Sequence, residues 1–493
     1  MPCRIAWSAC AEEATVGAAH ASILFRLEEP SMRRPHPDPR FTLIASSFGL
    51  GMALLDVTAG NVALPSIRAS LHTDAAGLSW VVDGYTLPFA SFLLLAGGLG
   101  DRLGARRLFT AGLVVFTAAS TMCVVAPDIG WLIAARVLQG TGAALFMPAS
   151  LSILGRAYPE PVERARAIGI WSSLTAVTGA SGPVVGGALI HAFGWRSIFL
   201  INVPIGVVGV LLTLRFVQRS PASATRGFDL AAQAAGALGL AALTWALIER
   251  SARGWSSPLI VLALVCAAGG IAAFVALERR SADPMLPLHL FRDRTFATTS
   301  AAALVYAAGF FGGLFVLSIE FQDIQGHGPA AAGLLFGIVS VFFGATSILA
   351  GRLAGRYGTR APIVGGLAVL VASAVGLAEL PASASPFMQG PLLALTGLGA
   401  ALVAPSMNAA ILASVPASLA GIGGAVLNTS RQVGTALGIA VFASSFHGRP
   451  AAEAVRLSLG CAALLYLCAL ALASRAPAPA SQTTSDAIPL ADH

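Results

Sequence analysis

The feature that most constrains this chain is its set of fourteen apolar stretches, each of roughly 20 residues, the length a helix needs to cross the hydrocarbon core of a bilayer. Their limits fall near 41–63, 79–99, 107–126, 129–150, 166–190, 198–216, 228–247 and 258–277. After a basic loop, six more fall near 296–319, 330–350, 361–380, 388–412, 421–445 and 454–473. Such a chain folds as an all-α polytopic membrane protein. Charged residues make up 11% of it, against about 25% in a soluble domain, so most of its surface faces something other than water.

An even number of spans puts both termini on one side, and arginine says which. All thirty basic residues are Arg. Twenty-two lie in the termini and in loops on the N-terminal side, whereas the opposite side holds only Arg68, Arg196, Arg250, Arg253, Arg449 and Arg456. Basic loops stay in the cytoplasm. Both termini are therefore expected there, with the chain passing many times through the cytoplasmic (inner) membrane. Arg interleaved with apolar segments points to the lipid bilayer as partner and excludes nucleic acid. Residues 1–40 form an N-terminal tail whose first 31 residues differ in character from the rest, and Met32 is read as the start. The Ala/Pro/Ser/Thr-rich tail over 474–493 is expected to be disordered. The six cysteines follow no metal or disulfide spacing.

The chain repeats itself. Gly97-Gly98-Leu99-Gly100-Asp101-Arg102-Leu103-Gly104-Ala105-Arg106 aligns with Gly351-Arg352-Leu353-Ala354-Gly355-Arg356-Tyr357-Gly358-Thr359-Arg360 at an offset of 254. Gly140-Thr141-Gly142-Ala143-Ala144-Leu145 aligns with Gly397-Leu398-Gly399-Ala400-Ala401-Leu402 at an offset of 257. Two six-helix halves follow, over 41–216 and 296–473, with two extra helices over 228–277 between them. Duplicated halves that rock about a midplane site are the architecture of a transporter. There is no P-loop, so ATP hydrolysis is not encoded, and neither His-Glu-x-x-His nor the Thr-Val-Gly-Tyr-Gly filter is present.

Ionisable residues inside spans are functional candidates by default. Asp56 lies well inside the first span, where a carboxylate can carry a proton, pair with a cation or simply bond neighbouring helices. Arg136, in Arg136-Val137-Leu138-Gln139-Gly140, lies in the fourth and is expected to face a polar cavity, the alternative being a side chain snorkelling near Asp128. Asp83 opens the second span near the external mouth, either as a cation or proton site or as a solvated helix-start acid. Glu320, at the external end of the ninth, is expected to line the cavity. The segment containing Gly97, Asp101, Arg102, Gly104, Arg106 and Arg107 reads as a tight loop that latches helix ends, or as an ordinary basic loop. Gly182, Pro183, Gly186 and Gly187 close the fifth span as a pliable hinge or a packing groove.

With these motifs in place the sequence resembles the major facilitator superfamily, and within it the fourteen-helix drug:proton antiporters. The match runs over about 41–473. It is carried by Leu55-Asp56-Val57-Thr58-Ala59-Gly60-Asn61, the Gly97–Arg107 segment, Arg136 with Gln139, Gly140 and Gly142, Gly182-Pro183 with Gly186-Gly187, Trp195–Gly206, and Asn428-Thr429-Ser430-Arg431-Gln432. The resemblance implies that Asp56 and Arg136 couple protons to substrate, that Asp101 and its Arg neighbours gate the cytoplasmic side, and that the Gly182-Pro183 motif belongs to exporters. It places Gln139, Gly140, Asn428 and Arg431 in further family motifs. Asp83 in Val-Asp-Gly-Tyr looks like the form found in exporters of quaternary ammonium compounds. Two departures stand out: Gly60 replaces a β-branched residue, and Gly355 stands where the first repeat has Asp101.

The expectation is therefore a non-enzymatic, proton-driven exporter of small amphipathic or cationic drugs. It acts as a monomer, has no cofactor and uses protons as its coupling ion, with Asp56 as the first proton carrier and Asp83 as the second. The rivals are a dedicated exporter of one host-made antibiotic, which confers self-resistance, and a nutrient importer.

Overall fold

The computed structural model describes residues 39–218, 230–281, 286, 288–381, 383–415 and 419–475. The expected start at Met32, the tail beyond 475 and the side chains of Gly97, Asp101 and Arg102 lie outside the described residues. The described residues form fourteen long helices: α1 (Pro39–Leu71), α2 (Ala75–Leu103), α3 (Ala105–Val124), α4 (Ile129–Ala157), α5 (Pro161–Phe193), α6 (Ser197–Phe216), α7 (Leu230–Arg253), α8 (Pro258–Arg280), α9 (Arg294–Ile319), α10 (Pro329–Tyr357), α11 (Arg360–Glu379), α12 (Pro386–Ala413), α13 (Ala420–Ala443) and α14 (Ala451–Ser474). Among the described residues, eleven helices are long and apolar enough to cross a membrane by length and composition alone. One that falls short, α13, carries Asn428-Thr429-Ser430-Arg431-Gln432 at its centre.

Several helices overrun the apolar windows. α1 has 33 residues, about 50 Å at 1.5 Å per residue, so it extends past a hydrocarbon layer of about 30 Å into the headgroups. Side-chain caps set some starts. Asp74 accepts from the Gly77 N–H at 2.9 Å, Asp128 from the Trp131 N–H at 2.8 Å and Asp293 from the Phe296 N–H at 2.8 Å. Asp128 is thus a cap, which removes it as a partner for Arg136.

The Gly97–Arg107 segment is not a loop. Asp101 and Arg102 belong to the last turn of α2, and the chain turns at Gly104 alone, whose φ of 85° only glycine adopts without strain. Gly358, with φ 76°, ends α10 in the second repeat. Arg106 then donates to the Leu214 carbonyl at the end of α6, and its counterpart Arg360 donates to the Ser474 carbonyl at the end of α14. In each half the corner arginine ties the second-to-third helix turn to the end of the sixth helix.

The repeat is equally plain in the packing. A Cβ on Gly140 would collide with the Tyr85 carbonyl, and one on Gly397 with the Val339 carbonyl. Gly112 and Gly142 touch across α3 and α4, as Gly366 and Gly399 do across α11 and α12. Backbones that approach this closely gain dispersion contacts in a solvent as apolar as their own side chains. The halves meet where α1 and α5 face α9 and α10, and α13 packs on α2. The extra helices α7 and α8 pack on each other through Gly239 and Gly270, and α7 leans on α2 and α13.

Candidate functional site

The N-terminal half holds a sealed ionic cluster. Asp56 on α1 is 1% exposed and Arg136 on α4 is 4% exposed. The Arg136 Nη1 lies 2.5 Å from one Asp56 carboxylate oxygen and 2.6 Å from the Gln139 Oε1. The other Asp56 oxygen accepts from the Gln139 amide at 2.9 Å and from the Asn202 amide, on α6, at 2.8 Å. The Arg136 Nε donates to the Val81 carbonyl at 3.1 Å, and its guanidinium lies over the Tyr85 ring, 4.5 Å from the centroid. Gln139 also donates to Ser120 on α3. Asp56, Arg136 and Gln139 thus tie five helices together. A pair this buried is sound only because hydrogen bonds satisfy its remaining donors and acceptors.

This arrangement corrects one expectation. Arg136 does not face the cavity; it points into the N-terminal half and pairs with Asp56. Ser120 was not singled out by sequence reasoning, and Asn202 and Tyr85 stood inside motifs without a role of their own. An amide such as Asn202 inside an otherwise apolar segment is a signal that would have found it.

A separate cavity of about 230 Å³ lies between the halves. α1 contributes Leu54, Thr58 and Asn61, from a different face than Asp56, and α5 contributes Gly179 and Pro183. The opposite wall is aromatic, with Tyr306, Phe310 and Phe311 on α9 and Phe336 and Phe343 on α10. Arg431 on α13 is the charged group on the described lining, and it donates to the Ala404 carbonyl at 2.8 Å. Asn428, one turn earlier on α13, is half-buried and does not line this space.

At the Arg-poor end the halves are latched. Arg68 pairs with Asp323 at 2.8 Å, Ser318 donates to the Asn61 carbonyl at 2.5 Å and Gln322 donates to the Val62 carbonyl at 2.9 Å. Gly187 sits against Pro329 and Gly333, and Gly333 against the Pro183 carbonyl. Gly182 and Gly186 face Thr58 and Ala59 of α1. The glycine-rich motif is therefore the seam at which α5 touches both α1 and α10, inside one continuous helix.

Two further acids are not where the sequence suggested. Asp83 is fully buried, with Ser79 at 3.2 Å and Thr86 at 3.4 Å as its partners, so it is neither a solvated helix start nor part of the cavity wall. Glu320 also misses the cavity. The last turn of the ninth span, Glu320–Ile324, widens into a π-turn, and Glu320 accepts from Gln325 at 3.2 Å. It lines a distinct pocket of about 290 Å³ with Leu377, Glu453 and Arg456. A π-turn inserts a residue into the helical register and rotates everything beyond it.

The model of the Major Facilitator Superfamily matches residues 46–439. The chain belongs to this superfamily. It is 37% identical over 405 residues to the methylenomycin A resistance protein of Streptomyces coelicolor, covering 82% of this chain and 85% of that one. It is 38% identical to the multidrug resistance protein Stp of Mycobacterium tuberculosis, covering 82% and 75%. Among solved structures, the peptide transporter POT in complex with sulfate superposes with a TM-score of 0.67 at 18% identity, covering 90% of this chain and 95% of that one. This superfamily member is therefore a polytopic inner-membrane transporter of the drug and antibiotic efflux kind, and not an enzyme. Within the major facilitator fold, the paired motifs divide into three places: the sealed cluster, the aromatic cavity and the latch.

Proposed function

We propose that this chain is a dedicated exporter of one small amphipathic metabolite or antibiotic, driven by proton exchange and conferring resistance on its host. The observation that carries this reading is the cavity wall: five aromatic rings and no carboxylate among the described lining residues. Aromatic rings can hold an organic cation, but beside the positive Arg431 a bound cation needs an acid to offset the repulsion. This wall offers none, which argues against the quaternary ammonium substrates implied by Asp83, itself sealed away. The relative named for resistance to a single antibiotic supports the same choice.

Protons act at Asp56. Protonating it cancels the charge that holds Arg136 and weakens the bonds from Gln139 and Asn202, loosening α1, α4 and α6 together. This is the two-state element that antiport requires. Asp83 is a second place to hold a proton. Ranges 41–216 and 296–473 rock as two bodies about the cavity, with 228–277 as an accessory pair. The Gly182–Gly187 seam is the hinge, and Asp101 with its Arg neighbours gates the far end. Both termini face the cytoplasm by the arginine distribution, which makes the latched end external. One chain is the working unit.

The test uses inverted membrane vesicles acidified by respiration and followed with a pH-sensitive dye. A panel of neutral and acidic aromatic metabolites is compared with ethidium. Proton efflux triggered by a panel member, absent with ethidium and abolished in Asp56→Asn, is expected. An ethidium response as large as any other would return the reading to multidrug:proton antiport, which the 38% identity to Stp favours.

A further inference from the structure

Arg431 sits near the centre of the 24-residue helix α13 and forms part of the cavity wall. A guanidinium keeps its charge at any physiological pH and presents five N–H donors. Here one of its nitrogens donates to the Ala404 carbonyl, and the Nε is buried without a hydrogen-bond partner. No Asp or Glu pairs with it among the described residues. The contrast with Arg136 is direct, since that side chain has a carboxylate, an amide, a carbonyl and a ring. A half-buried guanidinium whose Nε is sealed without a partner is costly unless an acceptor arrives from elsewhere. Around it lie Tyr306, Phe310, Phe336 and Phe343, faces on which a flat apolar skeleton stacks.

We propose that Arg431 is the anchor for an organic anion: the exported compound carries a carboxylate, or an enolate or phenolate of similar geometry, on a lipophilic skeleton that fits about 230 Å³. The anion takes the vacant fork of the guanidinium while the skeleton occupies the aromatic wall. The proposal rests on the export reading for its biological sense, and its geometry stands on the cavity alone.

The test is equilibrium binding to the full chain in lipid nanodiscs. The probes are 2-naphthoate, which carries the anion, and methyl 2-naphthoate, which has the same skeleton without charge. Wild type is expected to bind the acid about 10- to 100-fold more tightly than the ester, the range for a hydrogen bond to a charged group. Arg431→Gln is expected to bind the two alike, and Arg431→Lys to recover part of the preference. Ser340→Asp adds a carboxylate to the same cavity and is expected to abolish the preference as well. Equal affinities in wild type, a preference that survives both Arg431→Gln and Ser340→Asp, or no binding of either probe would each overturn the proposal. The proton-release assay separates the two readings. Acid preference without proton-linked export sinks the export reading alone. Proton-linked export that treats acid and ester alike sinks the anion reading alone.

Discussion

In the N-terminal half, the space between α1, α3 and α4 is filled by Asp56, Ser120, Arg136 and Gln139. At the repeat offsets, the C-terminal half places Phe310 for Asp56, Leu393 for Arg136 and Thr396 for Gln139. The hydroxyl of Thr396 meets that of Ser373 at 2.6 Å, much as Gln139 meets Ser120 at 2.9 Å. The glycine crossings are the same in both halves. The scaffold is thus duplicated, while its contents have diverged. One half keeps a sealed pair of opposite charges; the other gives the corresponding place to an aromatic ring that turns toward the cavity. On the proposed reading, the N-terminal half handles the proton and the C-terminal half supplies most of the ring surface for the substrate.

The sharpest way to break this contrast is to remove one charge. Arg136→Leu leaves Asp56 buried and unpaired and is expected to cost about 3–5 kcal/mol of stability, with loss of export. Thermal unfolding in detergent reads the first effect and the vesicle assay the second. A variant that melts like wild type would show that the pair is not a structural element. Replacing both charges, in Asp56→Leu with Arg136→Leu, makes the N-terminal core resemble its partner. It is expected to recover most of that stability and none of the transport. The shared crossings give the matched control: Gly142→Ala and Gly399→Ala each force helices apart and are expected to cost a similar amount, about 1–3 kcal/mol. A large difference between them would mean that the duplication is not mechanical. The smallest effect is expected at the latch. Arg68→Gln breaks a half-exposed pair and should change stability by about 0–1 kcal/mol, while shifting the distance distribution between spin labels on the Arg-poor ends of α1 and α9. An unchanged distribution would remove this pair from the gate.

Much of the frame is legible in the order of residues alone. Apolar length locates all fourteen helices, and the two offsets announce halves that the glycine contacts match. Asp56 and Arg136 draw attention because charge at that depth is rare. What the sequence does not carry is direction. Helices that are apolar on every side have little periodic signal, so nothing local shows that Arg136 turns inward to Asp56 while Arg431 turns to the cavity. Asp83 reads as a helix-start acid because its burial comes from neighbouring helices distant in sequence. Glu320 ends the ninth span, and nothing in its spacing shows that its side chain turns toward α11 and α14 and away from the cavity. The Gly104 corner reads as a loop when glycine density is equated with flexibility, whereas the helix persists to within one residue of the turn.

The unpaired Arg431 has an electrical consequence. If the cargo is an anion, a loaded cavity, guanidinium plus anion, is close to neutral and crosses the bilayer's field with little work. Once emptied outside, the same cavity carries a full positive charge, and a cytoplasm held negative draws it back. A unit charge that traverses the whole field gains about 2.3 kcal/mol per 100 mV. On that reading the membrane voltage acts on the return stroke, the same stroke on which the exchanged proton is carried inward.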